Sequence, residues 1–162
     1  YIFVLMKNFI RKRTLDAVLR FTWNAVSKMY NREASKFDST MATGFALLNI
    51  EPEGTPSTSL GPKLGMESTS LSRLLNSMEE KRLIRRVPNP NDGRGVLIFL
   101  TSFGKEKRDD SRSVVLNFNN IIEKKLTNIQ IKHFIEVADC IERESKQFEH
   151  FILNNIPRNY GS

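Results

Sequence analysis

The sequence predicts a mostly α-helical fold carrying a small β-wing, and three observations lead there. Apolar residues recur at three- and four-residue steps through most of the chain, which is the helical period. Between Leu83 and Leu100 that period gives way to two short apolar runs around a loop rich in Pro, Asn and Gly, the pattern of paired strands. The last third returns to helix, with a seam near a 3.5-residue period.

The first helix spans Lys12 to Phe37, with Leu15, Val18, Leu19, Trp23, Val26, Tyr30, Ala34 and Phe37 in phase. Asp38 and Ser39 break it. Met41 to Ile50 forms a second, shorter helix that ends at Glu51-Pro52-Glu53-Gly54. Thr55-Pro56 reads as an N-cap with proline at the first helical position, opening a short helix that Gly61-Pro62 interrupts and Gly65 closes. The next helix runs from Ser68 to about Arg82, with Leu71, Leu74, Leu75 and Met78 on one face.

Leu83 to Val87 reads as a strand, Pro88 to Gly95 as a loop, and Val96 to Leu100 as the returning strand. A loop of that length exceeds what a hairpin needs, so a role is expected for it. Thr101-Ser102 caps a long helix that continues through Val114, Val115, Phe118, Ile121 and Ile122. Thr127 and Gln130 have the spacing of a capping box, each satisfying an orphan amide of the other. The final helix they open carries Ile131, Phe134, Ala138, Ile141, Ser145, Phe148 and Ile152 along one seam.

Composition narrows the function. The 162 residues are 40% hydrophobic and 27% charged, which describes a globular chain able to bury a core. No apolar run approaches the roughly 18 residues that span a bilayer, so no membrane partner is expected. Tyr1 to Ile10 is apolar but short and lacks a small-residue cleavage site, so it does not read as a signal peptide. Met6-Lys7-Asn8 is the expected start, with residues 1–5 upstream of it.

Cys140 is the one cysteine; it excludes an internal disulfide and fits a reducing cytoplasm. A net charge of +7 favours a polyanionic partner. There is no phosphate-cradling glycine loop, paired-histidine metal site or nucleophile elbow, so neither an enzyme nor a cofactor is expected.

The helix opening at Ser68 carries the candidate chemistry. A helix fits the major groove of B-DNA, and the second helix of a helix-turn-helix presents its N-terminal residues to base edges. Here Ser68, Thr69, Ser70 and Ser72 supply small hydroxyls that allow close approach, and Arg73 supplies a planar fork suited to guanine or phosphate. The positive end of the helix dipole favours phosphate. Arg85, Arg86 and Arg94 cluster on the strand and loop, where an arginine at the tip can enter the minor groove. Asp92 is the candidate orienter of Arg94.

The stretch SLSRLLNSMEEKRLIRRVPNPNDGRGVLIFLTSFGKEKR, from Ser70 to Arg108, resembles the MarR (multiple antibiotic resistance regulator) family of winged-helix regulators. Arg73 matches the arginine of that family's Thr/Ser-rich recognition helix, and Leu83-Ile84 match its first wing strand. Asp92-Gly93-Arg94 match its Asp-x-Arg wing, and Leu100-Thr101-Ser102-Phe103-Gly104 match the Leu-Thr-x-x-Gly start of its next helix. Three positions depart from the pattern: Arg82 stands where a glycine usually ends the helix, Pro62 falls inside the short helix, and Gly93 replaces a second wing arginine.

The resemblance implies a winged helix-turn-helix DNA-binding region over residues 39–101. It also implies a helical dimerisation region from residues 12–38 and 102–155, with residues 1–11 as an N-terminal extension. The function it implies is a sequence-specific transcriptional regulator, a repressor, bound as a homodimer to double-stranded DNA at a pseudo-palindromic operator and released by a small-molecule effector. The other class in play is a dimeric winged-helix protein-interaction module without DNA readout.

Plainer readings stand beside these. Arg85 and Arg86 can be a solvated strand edge, and the charge run Lys105 to Arg112 a solvated helix face. Cys140 reads as a small apolar residue near the final seam, and His133 and His150 lack metal-ligand spacing. Trp23, Met29, Tyr30, Phe45 and Phe9 read as core or dimer-interface residues, and apolar side chains of the first two helices are candidate walls of a ligand pocket.

Overall fold

The computed structural model describes residues 14–90 and 95–155. The expected start at Met6 and the aromatic Phe9 lie outside them, as do Asp92 and Arg94. The chain divides into two compact units, residues 1–115 and residues 116–162.

The first unit opens with helix α1 (Leu15–Ser35), which buries no residue. The break expected at Asp38 is present: this residue takes a left-handed φ of 49°, a conformation that aspartate tolerates better than most. Thr40 caps α2 (Met41–Asn49) by accepting the Thr43 N–H at 3.2 Å. Asn31 of α1 adds a second cap, its Oδ1 accepting the Met41 N–H at 3.0 Å.

Thr55–Pro56 form a two-residue strand, β1, where the sequence suggests a helix cap. Thr55 pairs with Ile98, and its hydroxyl accepts the Glu51 N–H at 2.8 Å. A partner 43 positions away outweighs the local capping preference. Helix α3 (Ser57–Leu64) then runs straight through Pro62 instead of being interrupted there. Proline removes one helical hydrogen bond, but Leu60 and Gly61 are buried behind it. Two closing bonds, Met66 N–H to Gly61 O and Gly65 N–H to Pro62 O, hold its end.

Helix α4 (Ser68–Glu80) lays Leu71, Leu75 and Met78 into the core. Strands β2 (Ile84–Pro88) and β3 (Val96–Leu100) follow, and the sheet order is β1-β3-β2, all antiparallel. Ala46, Leu47, Ile50, Leu60, Leu83, Ile84, Ile98 and Leu100 complete the core.

Arg82 ends α4 in the left-handed conformation, at φ 58°. It occupies the glycine position of a Schellman closure, in which the Leu83 N–H reaches Met78 O and the Arg82 N–H reaches Glu79 O, both at 2.9 Å. A side chain in that conformation costs roughly 1–2 kcal/mol. Arg82→Gly is therefore expected to raise stability by about 1 kcal/mol, or about 3 °C in melting temperature for a chain of this size. Thermal denaturation at fixed protein concentration checks this; an unchanged or lower midpoint refutes it.

The start of helix α5 (Ser102–Glu123) is locked to the same joint. The Thr101 hydroxyl donates to Arg82 O at 2.6 Å and accepts the Gly104 N–H at 2.9 Å, while the Thr101 N–H reaches Leu83 O at 3.1 Å. A Cβ at Gly104 would collide with that Leu83 carbonyl. The Leu-Thr-x-x-Gly pattern thus has a mechanical cause: the helix starts against the backbone that ends α4.

The second unit holds the end of α5 and helix α6 (Asn128–Asn155). The capping box at its start is present in full: Gln130 Oε1 accepts the Thr127 N–H at 2.9 Å, and the Thr127 hydroxyl accepts the Gln130 N–H at 3.2 Å. Among the described side chains of residues 116–155 none is buried. Cys140 is exposed in the single chain rather than sheltered by its seam. Among the described residues no helix is long and apolar enough to cross a membrane.

Candidate nucleic-acid interface

Helix α4 is amphipathic in the sense that a reading helix requires. Leu71, Leu75 and Met78 anchor one side in the core. Ser68, Thr69, Ser70, Ser72, Arg73 and Asn76 are all exposed on the remaining surface. No side chain caps the helix at Glu67, which leaves first-turn amides facing outward with the positive end of the dipole. The Ser72 hydroxyl donates to Ser68 O at 2.9 Å, so it presents only its acceptor lone pairs outward. Arg73 has no hydrogen-bonding or ionic partner among the described residues.

The two strand arginines do not form one cluster. Consecutive strand residues point to opposite faces, and Arg85 and Arg86 follow that rule. Arg86 shares its face with buried Ile84 and lies opposite buried Ile98, so its guanidinium reaches inward to α4. There it donates to Glu79 Oε2 at 2.6 Å and to Asn76 Oδ1 at 2.7 Å. Alternation in the strand was the available signal, since Arg86 is two residues from an obviously apolar Ile84.

Arg85 lies on the other face, with its guanidinium 4.7 Å from the centre of the Phe99 ring. Phe99 in turn covers Gly54, which has φ 92° and no room for a Cβ under the ring. Asp92 and Arg94, the expected wing-tip pair, lie outside the described residues.

Asn76 carries no signal in the sequence beyond its spacing. It stands seven residues, close to two turns, after Thr69 and three after Arg73, so the three share one outward strip of α4.

A cavity of about 350 Å³ lies within the first unit, bounded by α1, α2, the end of α4 and the start of α5. Tyr30, Phe45, Leu48, Leu83, Phe103 and Val114 supply much of its wall. The sequence placed a pocket beside the first two helices; the structure adds Lys81, Leu83 and the α5 residues. Tyr30 meets the Phe45 ring edge-on at 5.6 Å, and burial raises its phenol above the ordinary value.

The run Lys105 to Arg112 is not simply a solvated face. Lys107 is half-buried in the cavity wall, 5.6 Å from the Phe37 ring and 5.5 Å from that of Phe103. Its hydrogen bond to Asp110, at 2.8 Å, holds the ammonium above the ordinary lysine value. No group of three or more potential metal-binding side chains occurs among the described residues.

The profile of the MarR family matches residues 46–95, from within α2 to the residue before β3. Solved structures with the same fold include MepR of S. aureus in complex with DNA, at 20% identity and a TM-score of 0.72, covering 83% of this chain and 98% of that one. A mutant MarR of E. coli complexed with operator DNA is 24% identical, with a TM-score of 0.70, covering 78% of this chain and 92% of that one. The PcaV regulator of Streptomyces coelicolor, solved with its natural ligand, is 19% identical with a TM-score of 0.69, covering 83% and 95%.

Proposed function

From a chain that carries a MarR-family winged helix over residues 46–95, we propose a transcriptional regulator that binds double-stranded DNA as a homodimer and performs no catalysis. One observation carries the reading: α4 packs through Leu71, Leu75 and Met78 and turns outward a strip of hydroxyls, Asn76 and Arg73, which has no partner among the described residues. That division of a helix into an anchored side and a donor-rich side is what major-groove entry needs. The relatives solved with DNA support it.

The homodimer is supported by exposed apolar surface in each unit. Leu15, Phe21 and Trp23 are exposed on α1, and Ile129, Phe134 and Phe148 on α6. Exposed apolar area on that scale marks an association surface. The cavity is the proposed effector site: it is mostly apolar, with a few polar groups on its wall, as small-molecule sites generally are. Effector binding would release a repressor from its operator in the cytoplasm. A relative solved with its natural ligand supports the effector.

Selection of genomic fragments by the purified chain, followed by gel-shift titration across salt concentrations, tests the reading. The expected outcome is a pseudo-palindromic site with half-sites about 10 bp apart centre to centre, and a binding constant whose logarithm falls linearly with log salt. Arg94→Ala is expected to weaken binding to all sequences alike and to reduce the salt slope by about 1. Dimers that stay soluble and shift no DNA at any salt concentration would replace this function with a protein-interaction module.

A further inference from the structure

We propose that Asn76 reads a base, and that Arg86 holds its carboxamide so that it offers the base edge donors only, making guanine the preferred base. This rests on the DNA-binding reading above and adds the chemistry of one position.

The orientation follows from what each group can do. A guanidinium has five donors and no acceptor. Arg86 Nη2 lies 2.7 Å from Asn76, so the atom facing it must be the carboxamide oxygen; turning the amide would set N–H against N–H. Arg86 is itself held. Its Nη1 donates to Glu79 Oε2 at 2.6 Å, and its place opposite Ile98 keeps the stem on the inner face of β2. The Nδ2 group of Asn76 is left for the solvent side of an exposed residue, on the strip it shares with Thr69 and Arg73.

That presentation changes which base fits. An unconstrained asparagine pairs with adenine by accepting from N6 and donating to N7. At Asn76 one lone pair of the oxygen is taken, and the neighbouring positive charge disfavours a second incoming donor such as adenine N6–H. The remaining donors match an edge with acceptors alone, and guanine presents two, N7 and O6. Arg86 acts here as a positioning residue, through Asn76 and not on the base.

The test is selection from a random DNA pool by the full chain and by two variants, Asn76→Ala and Arg86→Met, read as base frequencies at each half-site position. The wild type is expected to show one symmetric guanine position, and Asn76→Ala to reduce the preference there roughly tenfold while other positions keep theirs. Arg86→Met keeps the apolar stem and frees the carboxamide, so it is expected to shift that position from guanine towards adenine.

If Asn76→Ala leaves every preference intact, or weakens all positions alike, the proposal is overturned while DNA binding stands. An adenine preference in the wild type at the position that Asn76→Ala flattens overturns it equally. A wild-type chain that selects no sequence removes the DNA-binding reading itself. Should Arg86→Met fail to fold, Asn76→Ala still decides, because Asn76 is exposed.

Discussion

Replacing Gly104 by alanine is expected to cost the fold about 3 kcal/mol, the upper end of what overpacking usually costs. Helix propensity alone predicts the opposite sign, a gain of about 1 kcal/mol for Gly→Ala within a helix. The steric effect wins because the added methyl would meet the Leu83 carbonyl oxygen, which is backbone and cannot rotate away. That oxygen already accepts the Thr101 N–H at 3.1 Å, and both Leu83 and Ile84 are seated in the core. Relief would mean prising α5 from the end of α4, or pulling core residues with it. Urea denaturation of the two proteins at equal concentration measures the difference. A variant as stable as the parent would mean that the joint opens at little cost.

Arg73→Ala is expected to weaken binding to the selected operator by roughly 10- to 100-fold, the range for loss of a good arginine contact. Folding should be unaffected within about 0.5 kcal/mol, as for other surface positions. Arg73 is singled out because its guanidinium has no partner among the described residues. The guanidinium of Arg86 is held by Glu79 and Asn76, and that of Arg85 rests on Phe99.

Titrations against the operator and a scrambled duplex separate the two roles Arg73 can play. A base contact shows as a loss confined to the operator and relaxed choice at one base pair. A phosphate contact shows as an equal loss on both duplexes and a salt slope smaller by about 1. Unchanged affinity for both would remove Arg73 from the interface.

Much of the architecture is legible along the chain. The helices appear where apolar residues recur at helical spacing, and β3 spans Val96–Leu100 as its pattern indicates. The Thr127–Gln130 capping box and the awkward helix end at Arg82 are also both readable in the sequence and present in the structure. The candidate reading residues from Ser68 to Arg73 emerge together on one exposed side of α4.

Other features escape because their cause is remote. Thr55 becomes a strand residue through Ile98, and α3 tolerates Pro62 because its neighbours are buried. Lys107 looks like one more charge on a solvated helix, yet it lies near the rings of Phe37, in the turn after α1, and Phe103, on its own helix.

Helix starts, helix ends and the inward faces of single elements follow from the order of residues, because each depends on contacts within about four positions. The state of a charged side chain does not follow the same way. Arg73 is without a partner among the described residues whereas Arg86 is held, since Glu79, Asn76 and the inner face of β2 meet Arg86 only when the strand packs against α4. Packing across the fold, not proximity in the chain, determines which of these cations remains to meet a partner.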